Sequence, residues 1–487
     1  MTIFINMILL CKIPNYTQDA YLVSVASLYA YLKHKGQSVK CIDPISDLDY
    51  EADGFNDDVG EDPISIIEKL PNIENVVEKF YSYIEEYKSK FIGFSCIYGN
   101  VYASLYFAQR IKEKYPDVKI IFGGPAILHS RGMFETSYID FIIDGEGEQT
   151  LLELVTYVPP ENITGLSYKV EVHNNKWIKN APRAVEIELD NFPFPDYSDL
   201  EETRYYKDFH GISVPLTFSR GCPYTCNFCD VHQYSHSFRH YTIDTVFDYV
   251  KEHYDRGHTA FTVHDSIVNG NPKWLEKFCD RIIENEMKLL WTGSFRIQRQ
   301  LDNIEFLRKI IKSGCHSFIF GLESGSPKIL KHMGKFYDIE MTQEIFTKIH
   351  SLQEEFGEGF ANINIQLIIG YPAEEDDDFQ MTLDFVKKNK DKITHIISCS
   401  SFMMIPTIDL QRMITSKEFN IKYWHNAHWT SDYSTPEIRL DRMDRAEELF
   451  KEINIPYRMF FKEFLEEIIA NEKTKSMTTG KWQNEIG

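Results

Sequence analysis

Short apolar runs and longer stretches of helical spacing alternate along most of the chain, and their order predicts two α/β regions joined by an irregular one. From Phe4 to Asp43 an apolar strand, a helix over Tyr21 to Lys35 and a strand over Ser38 to Ile42 follow one another. An acidic stretch from Asp47 to Asp62 interrupts the rhythm and is expected to be a surface loop. Helices near 73–88 and 101–115 then alternate with strands at 91–95, 119–122 and 141–143. Residues 1–155 therefore read as one open, doubly wound parallel sheet. Residues 156–212 hold short strand-like pieces such as GLSYKV and the proline-rich PFPDYSDL, and read as a connector with some structure. From Pro215 strands LTFSR, AFTVHD, LLWTGSF, SFIFGLE, NINIQLIIG and IISCSSF alternate with helical stretches. Six such repeats make residues 213–400 a partial βα barrel whose strands' carboxyl ends form the expected active face. Residues 401–487 read as a mainly helical extension, in which TPEIRLDRMDRAEELFKEI is an amphipathic helix packing on the barrel.

A length of 487 residues exceeds one ordinary core and agrees with this division. The net charge of -21, from 73 acidic against 52 basic side chains, makes nucleic acid a poor first partner. The apolar start, MTIFINMILLCKIPNY, lacks a basic flank and reads as a buried strand; no run reaches membrane-spanning length. The nine cysteines are odd in number and mostly dispersed in apolar segments, which suggests free thiols in a reducing cytoplasm.

The chemistry concentrates in SRGCPYTCNFCD, directly after the first barrel strand. There Cys222, Cys226 and Cys229 are spaced C-x3-C-x2-C within one tight loop. Three thiolates can hold three irons of a cubane 4Fe-4S cluster and leave the fourth open. An open iron can chelate the amino and carboxylate groups of S-adenosylmethionine and pass an electron to its sulfonium, releasing a 5'-deoxyadenosyl radical. A plainer explanation is a zinc site, which would need a fourth Cys or His at comparable spacing; His232 is the nearest candidate.

Loop and barrel together resemble the radical S-adenosylmethionine (radical SAM) superfamily. HDSIVNGN (264–271), GLESGS (321–326) and IIGYPAE (368–374) resemble that family's segments after the second, fourth and fifth barrel strands. The resemblance implies that Asp265, Glu323 and Ser324 touch S-adenosylmethionine and that Arg296 of WTGSFR meets its carboxylate, while Phe228, just before the last cysteine of the loop, can lie against the adenine. It also implies an electron donor such as flavodoxin or ferredoxin.

The first region resembles the Rossmann-like cobalamin-binding domain that precedes the barrel in one subgroup of that superfamily. The matching residues are GFSCIYGN (93–100), IIFGGPA (120–126) and IDFIIDGEGEQTLLEL (139–154). By this resemblance Gly123, Gly124, Gly145 and Gly147 allow close backbone approach to a flat macrocycle or its nucleotide tail. The D-x-H-x-x-G motif that supplies an axial histidine in classical cobalamin proteins is absent. The same glycines also turn the chain in any doubly wound domain.

The functional expectation is a radical enzyme that functionalises an unactivated C–H bond of a peptide or small natural product, with cobalamin-dependent C-methylation leading. A cobalamin-independent epimerase or rearrangement enzyme is the alternative, with Cys399 as thiol hydrogen donor or else as an ordinary buried cysteine. A third reading, an RNA methylthiotransferase, would use Cys11, Cys41 and Cys96 for a second cluster, but the acidic charge and the lack of an evident basic tail domain oppose it. A non-enzymatic radical-fold binding protein comes last, since all cluster ligands are present. The stretch YWHNAHWTSDY (423–433), with Trp424, His425, His428 and Trp429, either lines the substrate or packs on the barrel rim.

Overall fold

The computed structural model describes residues 7–11, 13, 23–44, 67–68, 70–170, 176–200, 207–208, 211–235, 237–357, 359–405, 408–417, 419–424 and 427–478. The acidic stretch 47–62 and His425 lie outside these residues. Two compact units emerge. The first joins the N-terminal region up to Arg220 with Tyr234–His258; the second joins Gly221–Gln233 with Thr259–Gly487.

In the first unit β1 (Ile8–Cys11), α1 (Val23–His34), β2 (Val39–Ile42), α2 (Ile73–Tyr87), β3 (Phe91–Ser95), α3 (Val101–Lys114), β4 (Lys119–Gly123), α4 (Ala126–Phe134), β5 (Phe141–Ile143) and α5 (Glu148–Val155) follow one another. Their strands pair in parallel in the order β2-β1-β3-β4-β5. The ILLC and FIGFS strands are buried along their whole length, as parallel strands covered on both faces must be. One face is packed by Val76, Val77 and Phe80 of α2 with Tyr106 and Phe107 of α3. On the other face Val25, Tyr29 and Leu32 of α1 lie with Leu151 and Leu154 of α5. Strand order reverses between β1 and β3, so the carboxyl ends there form the crevice where such sheets take ligands. Asn100 ties that edge together, its Nδ2 donating to the carbonyls of Ile13 at 3.0 Å and Ser95 at 3.3 Å.

The connector is more ordered than its composition suggests. β6 (Leu166–Val170) and β7 (Lys176–Lys179) extend the sheet antiparallel beyond β5. Further on, Asp196 and Asp199 pair with Lys33 and Lys40, each at 2.9 Å, and Phe192 meets Tyr31 edge-on. Next come β8 (Val214–Leu216), which is the expected first barrel strand, then β9 (Ser219–Arg220), α6 (Val231–Tyr234), β10 (Arg239–His240) and α7 (Ile243–Asp255). Of these, α6 falls across the boundary between the units.

The second unit contains six parallel strands in chain order: β11 (Ala260–Val263), β12 (Leu290–Phe295), β13 (Cys315–Glu323), β14 (Asn362–Ile369), β15 (His395–Ser401) and β16 (Tyr457–Phe460). Between them run α8 (Pro272–Glu284), α9 (Ile304–Lys312), α10 (Pro327–His332), α11 (Ile339–Phe356), α12 (Asp376–Lys388), α13 (Ile408–Ser416) and α14 (Pro436–Glu452), and α15 (Lys462–Thr478) closes the series. Helix starts carry chemical signals: Asn271, Ser326 and Thr435 accept from the third following N–H, each before a proline at the first helical position. Along β14, buried Ile363, Ile365, Leu367 and Ile369 alternate with half-buried Asn362, Asn364, Gln366 and Ile368. This period of two separates a helix-facing side from a polar side. The short strand β16 within the helical tail is an addition to the sequence reading. Among the described residues, no helix is long and apolar enough to cross a membrane.

Candidate active site

The three cysteines occupy a loop that leaves β9 and ends at α6. A backbone bond of 3.0 Å from the Cys229 N–H to the Cys226 carbonyl tightens its second half. Asn227 anchors it: its N–H donates to the Met333 carbonyl at 3.0 Å and its Nδ2 to the His332 carbonyl at 2.6 Å. Cys226 is buried, and Cys222 and Cys229 are partly exposed. Burial pushes the Cys229 thiol up to about 12, with Asp230, Cys226 and Cys222 adding repulsion. Burial also raises Cys222. Burial thus opposes the thiolate forms of Cys222 and Cys229, and metal binding must displace their protons.

Among the described residues no three His, Cys, Asp or Glu side chains converge on a single ion's position. A cubane asks less of the loop, since each thiolate binds a different iron. The thiols nevertheless lie close enough to influence one another, and the donor set fits three corners of a 4Fe-4S cluster.

Arg296, one residue beyond β12, brings its Nη1 to 3.2 Å from the Cys226 Sγ. Its guanidinium lies 4.1 Å over the Tyr224 ring, and the Tyr224 hydroxyl donates to Gln298 Oε1 at 2.7 Å. Fully buried Asn269, from the segment after β11, clamps this strand end. Its Oδ1 accepts the Arg296 N–H at 2.9 Å, its Nδ2 donates to the Arg296 carbonyl at 2.8 Å, and its carbonyl accepts from Gln298 Nε2 at 2.6 Å. Asp265 is buried just past the end of β11.

Glu323 ends β13 in the left-handed region at φ 63°. Its carboxylate is paired with Lys335 at 2.7 Å, and Lys335 also donates to the Gly321 carbonyl at 2.6 Å. Such backbone strain beside a buried ion pair is typical of functional positions. Lys335 also faces the Phe228 ring at 5.9 Å. Neither Lys335 nor Asn269 stands out by spacing; each becomes visible only once the strand ends are brought together.

Ser324 is placed differently from the expectation. It is fully buried, its hydroxyl 3.2 Å from that of Thr382 and accepting the Ser326 N–H at 3.1 Å. That network braces the β13–α10 turn against α12 and does not present the hydroxyl to a ligand. Cys399 is likewise fully buried, in register with Leu367 on the helix-facing side. The half-buried positions beside it are Ser398 and Ser400. Burial, with Glu374 adding repulsion, raises its thiol far above the ordinary value. Trp429 is buried under Arg439 at 4.0 Å, whereas Trp424 is exposed and stacks on His428.

At the carboxyl ends of β4 and β5 the four glycines fall into two kinds. A Cβ on Gly124, at φ 99°, would come within 2.4 Å of the Cys96 carbonyl oxygen and 2.7 Å of its nitrogen. Gly124 thus lets β3 and β4 approach. Gly145, at φ 85°, has nothing within 4 Å of its added Cβ, so its surroundings are open to a ligand. A Cβ on Gly123 makes ordinary contact with Ile143, and one on Gly147 meets Leu28 at 3.2 Å. Cys11 and Cys96 pack on one face of this sheet and Cys41 on the other.

Comparison with known proteins identifies the two domains. Residues 216–386 match the Radical SAM superfamily model, and residues 15–155 match the B12 binding domain model. The chain carries a radical SAM domain preceded by a B12-binding domain. Its two domains are those that hold a 4Fe-4S cluster with S-adenosylmethionine and cobalamin, respectively. An uncharacterized methyltransferase of Pyrococcus horikoshii is 28% identical over 313 residues, which are 63% of this chain and 65% of that protein. The radical S-adenosylmethionine methyltransferase TsrM from Kitasatospora setae, solved with tryptophan and a SAM analog, superposes with a TM-score of 0.63 at 14% identity, over 85% of this chain and 76% of TsrM. OxsB, solved with aqua-cobalamin and S-adenosylmethionine, gives a TM-score of 0.62 at 16% identity, over 93% of this chain and 62% of its own. The chain thus spans somewhat less than two thirds of the Pyrococcus relative and of OxsB. At these identities the structural likeness speaks for the fold.

Proposed function

We propose that this radical SAM enzyme is a cobalamin-dependent C-methyltransferase acting on an unactivated carbon of a peptide or small natural product. When bound, the cluster supplies the electron that cleaves S-adenosylmethionine, and cobalamin carries the methyl group. The chain's own residues hold and orient. Cys222, Cys226 and Cys229 take three cluster corners. Arg296, fixed by Asn269, places a cation at the Cys226 sulfur, where it offsets cluster charge or meets the cosubstrate carboxylate. Glu323, held by Lys335, would offer a carboxylate to the ribose, and Asp265 would meet the amino group. The observation that carries the reading is the joint presence of this loop with the open Gly145 turn, in a chain that matches both domain models. The fold shared with TsrM, a methyltransferase, and with OxsB, a cobalamin-dependent radical enzyme, supports it.

The electron would come from a flavodoxin or ferredoxin. The epimerase reading draws no support from Cys399, whose thiol lies on the helix-facing side. The test is the visible spectrum of protein purified anaerobically from cells supplied with hydroxocobalamin. Corrinoid absorbance that stays with the protein through gel filtration is expected. Cobalamin-free protein that still makes 5'-deoxyadenosine would overturn the methyltransferase reading in favour of a cobalamin-independent one.

A further inference from the structure

Two arginines that the mechanism leaves unused frame the cluster loop. β9 and β10 form a two-residue antiparallel ribbon, pairing Ser219 with His240 and Arg220 with Arg239. The segment between them, 221–238, thus begins and ends at one point, and Cys222 stands two residues beyond Arg220. Like charges directly opposite each other weaken a strand pair. Here both are neutralised from the GEGE motif. Glu146 takes Arg239 with both oxygens, Oε1 to Nη2 and Oε2 to Nη1, the latter at 3.1 Å. Its Oε2 lies 3.8 Å from Arg220 Nη1, and Glu148 Oε1 lies 2.7 Å from Arg220 Nη2. Arg239 and Glu148 are 5% and 4% exposed, and Arg220 also lies over the Phe192 ring at 4.9 Å. Burial works against the Arg220 charge, but Glu148, Tyr241 and Glu146 outweigh it and hold the guanidinium more firmly charged than an ordinary arginine.

We infer that Glu146 and Glu148 are positioning residues for the iron–sulfur site, closing the base of the cysteine loop by holding Arg220 and Arg239 side by side. The motif therefore divides its labour. Its first glycine, Gly145, opens onto free space, while its two acids turn to the ribbon. This inference rests on the cluster reading above. Neutralising Glu146 strips buried Arg239 of its carboxylate and leaves Arg220 with Glu148 alone, so the two facing arginines repel with less compensation at the root of the loop.

The test compares Glu146→Gln, Glu148→Gln and Glu146→Asp with wild type after anaerobic reconstitution. Glu74→Gln, which breaks a peripheral pair with Arg110, is the control. Iron and sulfide per chain, the rate of cluster loss to an iron(II) chelator, and the thermal midpoint of the cluster-free protein are read. Glu146→Gln should lose its cluster at least about tenfold faster, Glu148→Gln less so, and the control at the wild-type rate. If Glu146→Gln does not fold, Glu146→Asp, which keeps the charge but withdraws it, should show the faster loss. Variants whose cluster-free stability falls while folded protein keeps its cluster at the wild-type rate overturn the inference, as do variants unchanged in every measure. A wild-type protein that takes up no iron or sulfide sinks the cluster reading itself, a result distinct from both.

Discussion

Alanine at Gly124 and, separately, at Gly145 should have unequal effects, because the two positive-φ glycines face different surroundings. At either position an L side chain is held in a left-handed conformation, costing about 1–2 kcal/mol. At Gly124 the new Cβ also falls 2.4 Å and 2.7 Å from backbone atoms of Cys96, and only movement of the β3 end against β4 relieves the overlap. Overpacking of that kind costs a further ~1–3 kcal/mol. At Gly145 no atom lies within 4 Å, so conformational strain is the whole cost, partly offset by the stiffer unfolded chain, worth about 0.4–1 kcal/mol. For a domain of this size each kcal/mol lowers the thermal midpoint by roughly 2–4 °C. Gly124→Ala should therefore melt about 5–15 °C below wild type, and Gly145→Ala within a few degrees of it. Cobalamin titration of the folded variants supplies the second half of the test: Gly145→Ala should bind corrinoid more weakly although it is the more stable of the two. Equal melting of both variants would refute the packing argument, and Gly145→Ala with wild-type corrinoid affinity would refute the ligand role of the open turn.

Other perturbations address the barrel. Lys335→Met strands the buried Glu323 carboxylate and should cost about 3–5 kcal/mol in unfolding experiments, whereas Lys335→Met with Glu323→Gln should recover most of the stability yet bind S-adenosylmethionine weakly by calorimetry. Glu374 is raised to about 7 by burial, only partly countered by Arg442. Its folded pKa stands above its unfolded one, so the associated stability is full below about pH 4.5 and is lost as pH rises through 7. Thermal midpoints across that window should fall less steeply in Glu374→Gln, and an unchanged slope would contradict the assignment. Cys399→Ala should keep product formation and lose only a modest increment of stability; abolition of turnover with normal 5'-deoxyadenosine release would restore the thiol-donor alternative.

Much of the architecture was legible because buried parallel strands and amphipathic helices leave strong local signatures. The helices over Ile73–Tyr87 and Val101–Lys114 and the strands Phe91–Ser95 and Phe141–Ile143 fall where the apolar pattern puts them. The sheet extension by β6 and β7 was harder to foresee, since an antiparallel edge half open to solvent, as in KWIK, leaves few buried residues to mark it. β16 is four residues long between two helices, too short for periodicity to act. For the site, three closely spaced cysteines are a local signal, whereas the Glu323–Lys335 and Arg296–Asn269 pairings depend on separate strand ends meeting. Ser324 and Cys399 show the converse limit: a residue's position at a strand end does not say which side it faces, and there the hydroxyl network and the register with Leu367 decide.

The most direct test of the whole account is the yield of 5'-deoxyadenosine from anaerobically reconstituted, reduced protein given S-adenosylmethionine, beside Cys226→Ala treated identically. The wild type should release it and the variant should release none. Absence from both, despite full iron and sulfide loading of the wild type, would contradict the account.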